Sequence, residues 1–271
     1  MGFWILNRSE KMTGTNHLAR PVRQPLDQAG FIEAEGPLHL LSDWVKPVFI
    51  HYRIAAERLQ PHVPYELDLW DDTAWVSLVA FTMRDMRPAF GGALGRFLFL
   101  PFRTQRFLNV RTYVRVGDER GIHFLTEWIS DWINSRLGPR IYGLPYRYGR
   151  MDYLHREGAV QGRVSSGSGQ LLFTGSVAVG EFTRCSAGTV SEFLMERYAA
   201  FNAVAGRQRF FRVWHEPWMQ SEAEIEITSD SLLASAFPWW QHAYYHSANF
   251  SEGAIDVMMG RPRRLLRSGS P

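Results

Sequence analysis

Short extended runs, each closed by turn residues, follow one another through most of this 271-residue chain and leave few folds open to it. Ala74-Trp75-Val76-Ser77-Leu78-Val79-Ala80-Phe81 is apolar at both parities, as in a central strand covered on each face. Residues 46 to 54 alternate, with Val48, Ile50 and Tyr52 on one side and Phe49, His51 and Arg53 on the other. His51 is thereby a candidate interior polar group, with a surface imidazole as the commoner outcome. A hairpin is expected from 66–70 and 73–83 around Asp71-Asp72, and another from 105–116 and 121–129 around Gly117-Asp118-Glu119-Arg120. Residues 146–156, 159–165 and 170–182 predict a meander, and further strands are expected at 207–215, 222–228, 243–250 and 254–258.

Helical signals are few and short. Residues 55–60 read as a helix stopped by Pro61, 130–137 as one stopped by Gly138-Pro139, and 231–236 as a third. Thr189-Val190-Ser191-Glu192 is a capping box for a bracing helix reaching about Phe201, with Phe193, Leu194, Tyr198 and Phe201 on one face. So many strands with so few helices predict a mainly β fold, a single antiparallel β-barrel over residues 36–260. Residues 1–35 read as a loose extension and 261–271 as a solvated basic tail.

Composition narrows function mainly by exclusion. Of 30 basic residues only Lys11 and Lys46 are lysines, and the arginines are dispersed among 27 acids without forming a stripe, so no nucleic-acid partner is expected. One cysteine, Cys185, excludes an intramolecular disulfide framework and points to a reducing cytoplasm. Asn7-Arg8-Ser9-Glu10 breaks the opening apolar run before a signal sequence forms, and no run approaches a membrane span. His242 and His246 stand four apart, but along a strand that spacing separates them by about 13 Å, too far for one ion. Neither a metal nor a cofactor is expected. Phe90, Phe97, Phe99 and Phe102 crowd the segment 87–104, which predicts a pocket cap or a subunit contact and hence a homo-oligomer.

Two stretches concentrate chemistry. Arg140-Ile141-Tyr142-Gly143-Leu144-Pro145-Tyr146-Arg147-Tyr148-Gly149-Arg150-Met151 packs three tyrosines and three arginines around a kinked entry to a strand. Tyr146 and Arg147 are adjacent on extended chain and must point to opposite faces. Asn109-Val110-Arg111-Thr112-Tyr113-Val114 puts Asn109, Arg111 and Tyr113 on one face, where an Asn and an Arg can grip a carboxylate or carbonyl or simply brace the sheet. Glu127 and Asp131 flank Trp128 as a possible base, or as a surface pair and a helix cap. His215 followed by Pro217-Trp218 either borders a ligand or fixes a turn.

The hexapeptide 109–114 resembles the signature of the YqjF-like proteins, a family of unknown function in the acetoacetate decarboxylase-like superfamily. Trp75-Val76 with Phe81 and Met83, Phe193-Leu194 with Glu196-Arg197-Tyr198, His215 with Pro217-Trp218, and Asp256-Val257 extend the likeness from about residue 43 to 265. Pro145-Tyr146-Arg147 is similar to the Pro-Lys-Lys segment of the decarboxylases, whose first lysine forms a Schiff base. Here a phenol and a guanidinium replace both lysines, and Phe107 occupies the position of an active-site Glu. The resemblance implies a closed barrel with a cavity, and the departures imply binding of a small carbonyl or carboxylate compound without an imine. The expected ligand contacts are Asn109, Arg111, Tyr146, His215 and Trp218, with Tyr146 as the proton donor if there is turnover. The alternatives are a non-catalytic oligomeric interaction protein and an imine-independent lyase or hydratase.

Overall fold

The computed structural model describes residues 27–265 apart from Ala205. Its strands are β1 (Leu40–Ile54), β2 (Glu66–Leu67), β3 (Ala74–Pro88), β4 (Gln105–Val116), β5 (Glu119–Ile129), β6 (Tyr146–Tyr148), β7 (Arg150–Arg156), β8 (Ala159–Ser166), β9 (Gly169–Val177), β10 (Thr183–Arg184), β11 (Ala199–Val204), β12 (Arg207–Trp214), β13 (Met219–Ser229), β14 (Tyr244–Ser251), β15 (Gly253–Met259) and β16 (Arg263–Arg264). The α-helices are α1 (Gln28–Glu35), α2 (Ala56–Leu59), α3 (Gly92–Leu98), α4 (Trp132–Tyr142), α5 (Val190–Met195) and α6 (Ser231–Ala236).

One pairing path joins the sheet in the order β15-β12-β11-β5-β4-β3-β1-β14-β13-β9-β8-β7. It also runs in a circuit, because β15 pairs with β12 on one edge and with the first half of β1 on the other. The branch lies at Lys46-Pro47: Lys46 takes a positive φ of 50°, and the register against β3 shifts between Val45 and Val48. Pro47 brings no N–H to the ladder, so β1 bends where its partner changes from β15 to β14. Gly253 sits opposite Val45 with φ 122°, and a Cβ there would lie 2.0 Å from Trp44 O. Only glycine fits that crossing.

Most pairings are antiparallel, but β11 meets β5 in parallel at Ala200 and Ile122, and β6 runs parallel to β5. The sheet is therefore mixed, which corrects the expectation of a purely antiparallel one. The parallel contacts arise because α4 and the segment before β11 return the chain in the direction of β5.

Alternation in β1, β3 and β4 feeds two cores. Val48, Ile50, Val76, Leu78, Leu108 and Val110 face outward under β7–β9 and α6, while Phe49, Val79, Phe81, Phe107 and Tyr113 face into the circuit.

Several elements depart from the sequence expectations for local reasons. β2 pairs with β4 instead of forming a hairpin with β3, leaving a single bridge at Trp70 and Thr73. Segment 87–104 contains α3, with Phe90 and Phe97 exposed and Phe99 and Phe102 packed on the inner core. Pro139 is tolerated inside α4, which ends at Gly143 with φ 68°. α5 stops at Met195, because Ala199 onward is drawn into pairing with β12. Its capping box is offset: Thr189 Oγ1 accepts from Glu192 N at 3.3 Å, while Glu192 Oε2 accepts from Gly188 N at 2.7 Å.

At the ends, α1 is capped by Asp27, and buried Glu35 pairs with Arg212 at 3.2 Å and with Arg263 at 3.1 Å. The loose-extension reading thus fails for 27–35 and the free-tail reading for 263–264; residues 1–26 and 266–271 lie outside the described residues. No described helix is long and apolar enough to cross a membrane.

Candidate functional site

β4, β5 and β6 lie side by side in the circuit wall, and their register places three polar side chains in a row. Asn109 stands opposite Glu127, and Glu127 opposite Tyr146. All three line a partly open cavity of about 50 Å³, together with Arg111, His215 and Trp218. All five residues singled out as ligand contacts from the sequence therefore border one space. That volume holds on the order of three or four water positions.

Each side chain is held by its neighbours. Arg111 is 6% exposed, donates Nη2 to Leu194 O at 3.0 Å, and lies over the rings of Phe49 and Tyr113 at 5.6 and 6.0 Å. Its Nε has no partner, and neither do Asn109 Oδ1 and Glu127 Oε2. Buried polar atoms without partners are uncommon and costly, and three of them lie on this one wall.

Tyr146 faces the cavity beside Phe107, while Arg147 points outward and lies over Trp128. Extended chain at 146–148 separates the two as expected. His215 donates Nδ1–H to Glu216 O at 2.7 Å and packs against Tyr198 and Trp218, with ring centroids at 4.8 and 4.7 Å. It fixes its turn and lines the cavity at once. Glu196 completes that turn, accepting from Trp218 N at 2.9 Å and from Tyr198 Oη.

Burial sets the ionisation. Glu127 is pushed well above the usual carboxylate range by burial, only partly opposed by Arg111, so its protonated form is favoured. Burial, opposed by the Glu216 hydrogen bond and aided by Arg111, lowers His215 to about 4, so the ring is neutral. Arg197 also lines the cavity, but its Nη1 lies 3.0 Å from the buried Asp68, which also binds Arg115 and Arg120. The wall is thus positive, with Arg111 as the cation that has no carboxylate in contact.

Two of these residues were not among the expected ligand contacts. Glu127 was weighed with Asp131 as a possible base or as a surface pair and helix cap; Asp131 does cap α4, accepting from Asn134 N at 2.8 Å, but Glu127 is buried. The signal was a lone carboxylate in the apolar run 124–129, and the bulge between Val110 and Arg111 hides its alignment with Asn109. Arg197 was assigned to a longer α5. His51 is the interior polar group of the two outcomes weighed for it: it is fully buried, bonded to Ser77 Oγ at 2.7 Å and Asn249 Oδ1 at 3.2 Å. Phe107 and Glu127 both border the cavity, whereas Lys46 pairs with Glu252 at 3.8 Å and does not border it, and Lys11 lies outside the described residues.

Residues 42–252 match the model of DUF2071, described as an uncharacterised conserved protein. The chain belongs to the DUF2071 family. A curated relative, the uncharacterised protein YqjF of Bacillus subtilis (strain 168), is 26% identical over 199 residues, covering 70% of this chain and 78% of the relative. Among solved structures, an acetoacetate decarboxylase-like enzyme from Sphingomonas wittichii RW1 superposes with a TM-score of 0.61 at 14% identity, over 84% of this chain and 93% of that one. The enduracididine biosynthesis enzyme MppR complexed with pyruvate gives 0.57 at 13% identity, over 93% and 100%. At such identities the likeness of this DUF2071 member to solved structures is one of fold: mainly β and acetoacetate decarboxylase-like.

Proposed function

We propose that the pairing circuit is a barrel whose interior binds a small organic acid, with its carboxylate on Arg111. The observation that carries this reading is that unpartnered buried atoms, among them Arg111 Nε, Asn109 Oδ1 and Glu127 Oε2, belong to side chains that line one cavity beside Tyr146. Two proton-bearing groups, the Tyr146 phenol and the neutral Glu127 carboxyl, stand in register on the same wall. They equip the site for acid/base work at a carbonyl, such as enolisation, hydration or dehydration, without an imine. A solved relative in fold, MppR, is described as complexed with pyruvate, which agrees in size and charge with this ligand class.

The test is a thermal-shift panel of two- to four-carbon acids, followed by borohydride treatment with the keto acids. Stabilisation by carboxylates without covalent trapping is the expected result. No shift with any acid removes the binding reading, and trapping on a lysine removes the imine-free chemistry.

A second reading rests on α3, where Leu94 is 68% and Phe97 66% exposed beside Phe90, Leu98 and Leu100. This face is an association surface for a second copy, and light scattering giving a monomer at high concentration would refute it.

A further inference from the structure

The unpartnered atoms specify more of the ligand than its charge; the step rests on the binding reading above. Arg111 Nε and Arg197 Nη2 are donors in want of an acceptor, whereas Asn109 Oδ1 is an acceptor in want of a donor, and each side chain is 94% or more buried. His215 adds a second acceptor. Its Nδ1 faces the carbonyl of Glu216, which can only accept, so the proton sits on Nδ1 and Nε2 keeps its lone pair on a side chain that lines the cavity. Glu127, as a neutral carboxyl, offers one donor and one acceptor and so favours neither kind of partner.

Candidate ligands answer this inventory differently. A plain carboxylate satisfies Arg111 but brings no hydrogen for Asn109 Oδ1 or His215 Nε2. A 2-oxo acid supplies one more acceptor and leaves the same two groups bare. A hydroxyl on the carbon next to the carboxylate supplies one hydrogen, enough for one of these two acceptors and most directly for Asn109 Oδ1, and a cavity of about 50 Å³ favours a short molecule. We infer that the cavity selects short 2-hydroxy acids over the corresponding plain and 2-oxo acids. Sites built to bond a hydroxyl reject analogues that lack it far more strongly than apolar pockets reject a missing methylene, because a buried group is left unpaired.

The experiment is calorimetric titration of the intact protein with two matched sets, glycolate against acetate, and lactate against propionate and pyruvate. The hydroxy acid of each set is expected to bind about ten-fold or more tightly than its partners, and Asn109→Leu to bring glycolate down to the level of acetate. Equal affinities within each set overturn this inference while leaving the carboxylate site standing. Tighter binding of pyruvate than of lactate overturns it too. If no acid binds, the underlying reading has failed instead, and the inference goes with it.

Discussion

Glu127 and His215 border the same cavity, yet burial drives their titrations apart. The His215 ring, lowered to about 4, binds a proton more readily in the unfolded chain. Its contribution to stability is therefore complete above the usual histidine range and lost as the pH falls from about 6.5 towards 4. The difference is on the order of 3 kcal/mol by the lower limit. His51, lowered to about 3 by burial and then by Arg111, adds to the same acid sensitivity. Urea denaturation between pH 7 and 4 should show this decline, and His215→Gln should flatten it; equal slopes would show that the ring is not held neutral. Glu127 carries the opposite sign. Its raised pKa means that stability is fully present below about pH 4.5 and is lost as the pH rises through its folded value. Glu127→Gln keeps the shape without the charge, so its advantage over the wild type should grow between pH 5 and 9. A difference that is constant with pH would place the carboxyl in water.

At the scale of elements, two contacts fix how the strands pack. Gly162 on β8 lies under the ring of Phe173 on β9, with Phe173 Cζ 2.1 Å from where a Cβ would stand. The ring is fully buried and has nowhere to go, so Gly162→Ala should cost about 1–3 kcal/mol and Gly162→Val more, read from denaturation midpoints. An unchanged midpoint would mean that this sheet is loosely packed. Asp68 follows β2 and holds Arg115 of β4, Arg120 of β5 and the wholly buried Arg197. Removing it in Asp68→Ala strands a buried cation and should cost about 3–5 kcal/mol. Elements of this kind were legible unevenly. The alternation of β1, β3 and β4 and the turn at Gly117 are local patterns, and the sequence reading located β4 closely but began β1 six residues late and ended β3 five residues early. Pairing of β2 with β4 and the end of α5 at Met195 depend on partners far along the chain, and no window of residues contains them. The same division holds at the site: Asn109, Arg111 and Tyr146 carry parity and motif, whereas Glu127 becomes visible only once β5 is aligned across a bulge.

For the molecule as a whole, closure of the circuit determines whether there is an interior at all. It depends on the crossing of β15 over β1, where Gly253 meets Trp44 O. Gly253→Val should therefore unfold the chain or open the β1–β15 edge, giving fast amide exchange at Val45 and Met258. Retained protection there would mean that the crossing is not needed. Inside the circuit, the proposed carboxylate site rests on the Arg111 guanidinium, whose Nε has no partner and which has no carboxylate in contact. Calorimetric titration of glycolate into the wild type and into Arg111→Met, with the variant's fold checked by circular dichroism, tests it most directly. Saturable binding of one glycolate per chain, weakened about ten-fold or more in the variant, is the predicted result; identical isotherms for the two proteins, or no heat from either at millimolar glycolate, would contradict it.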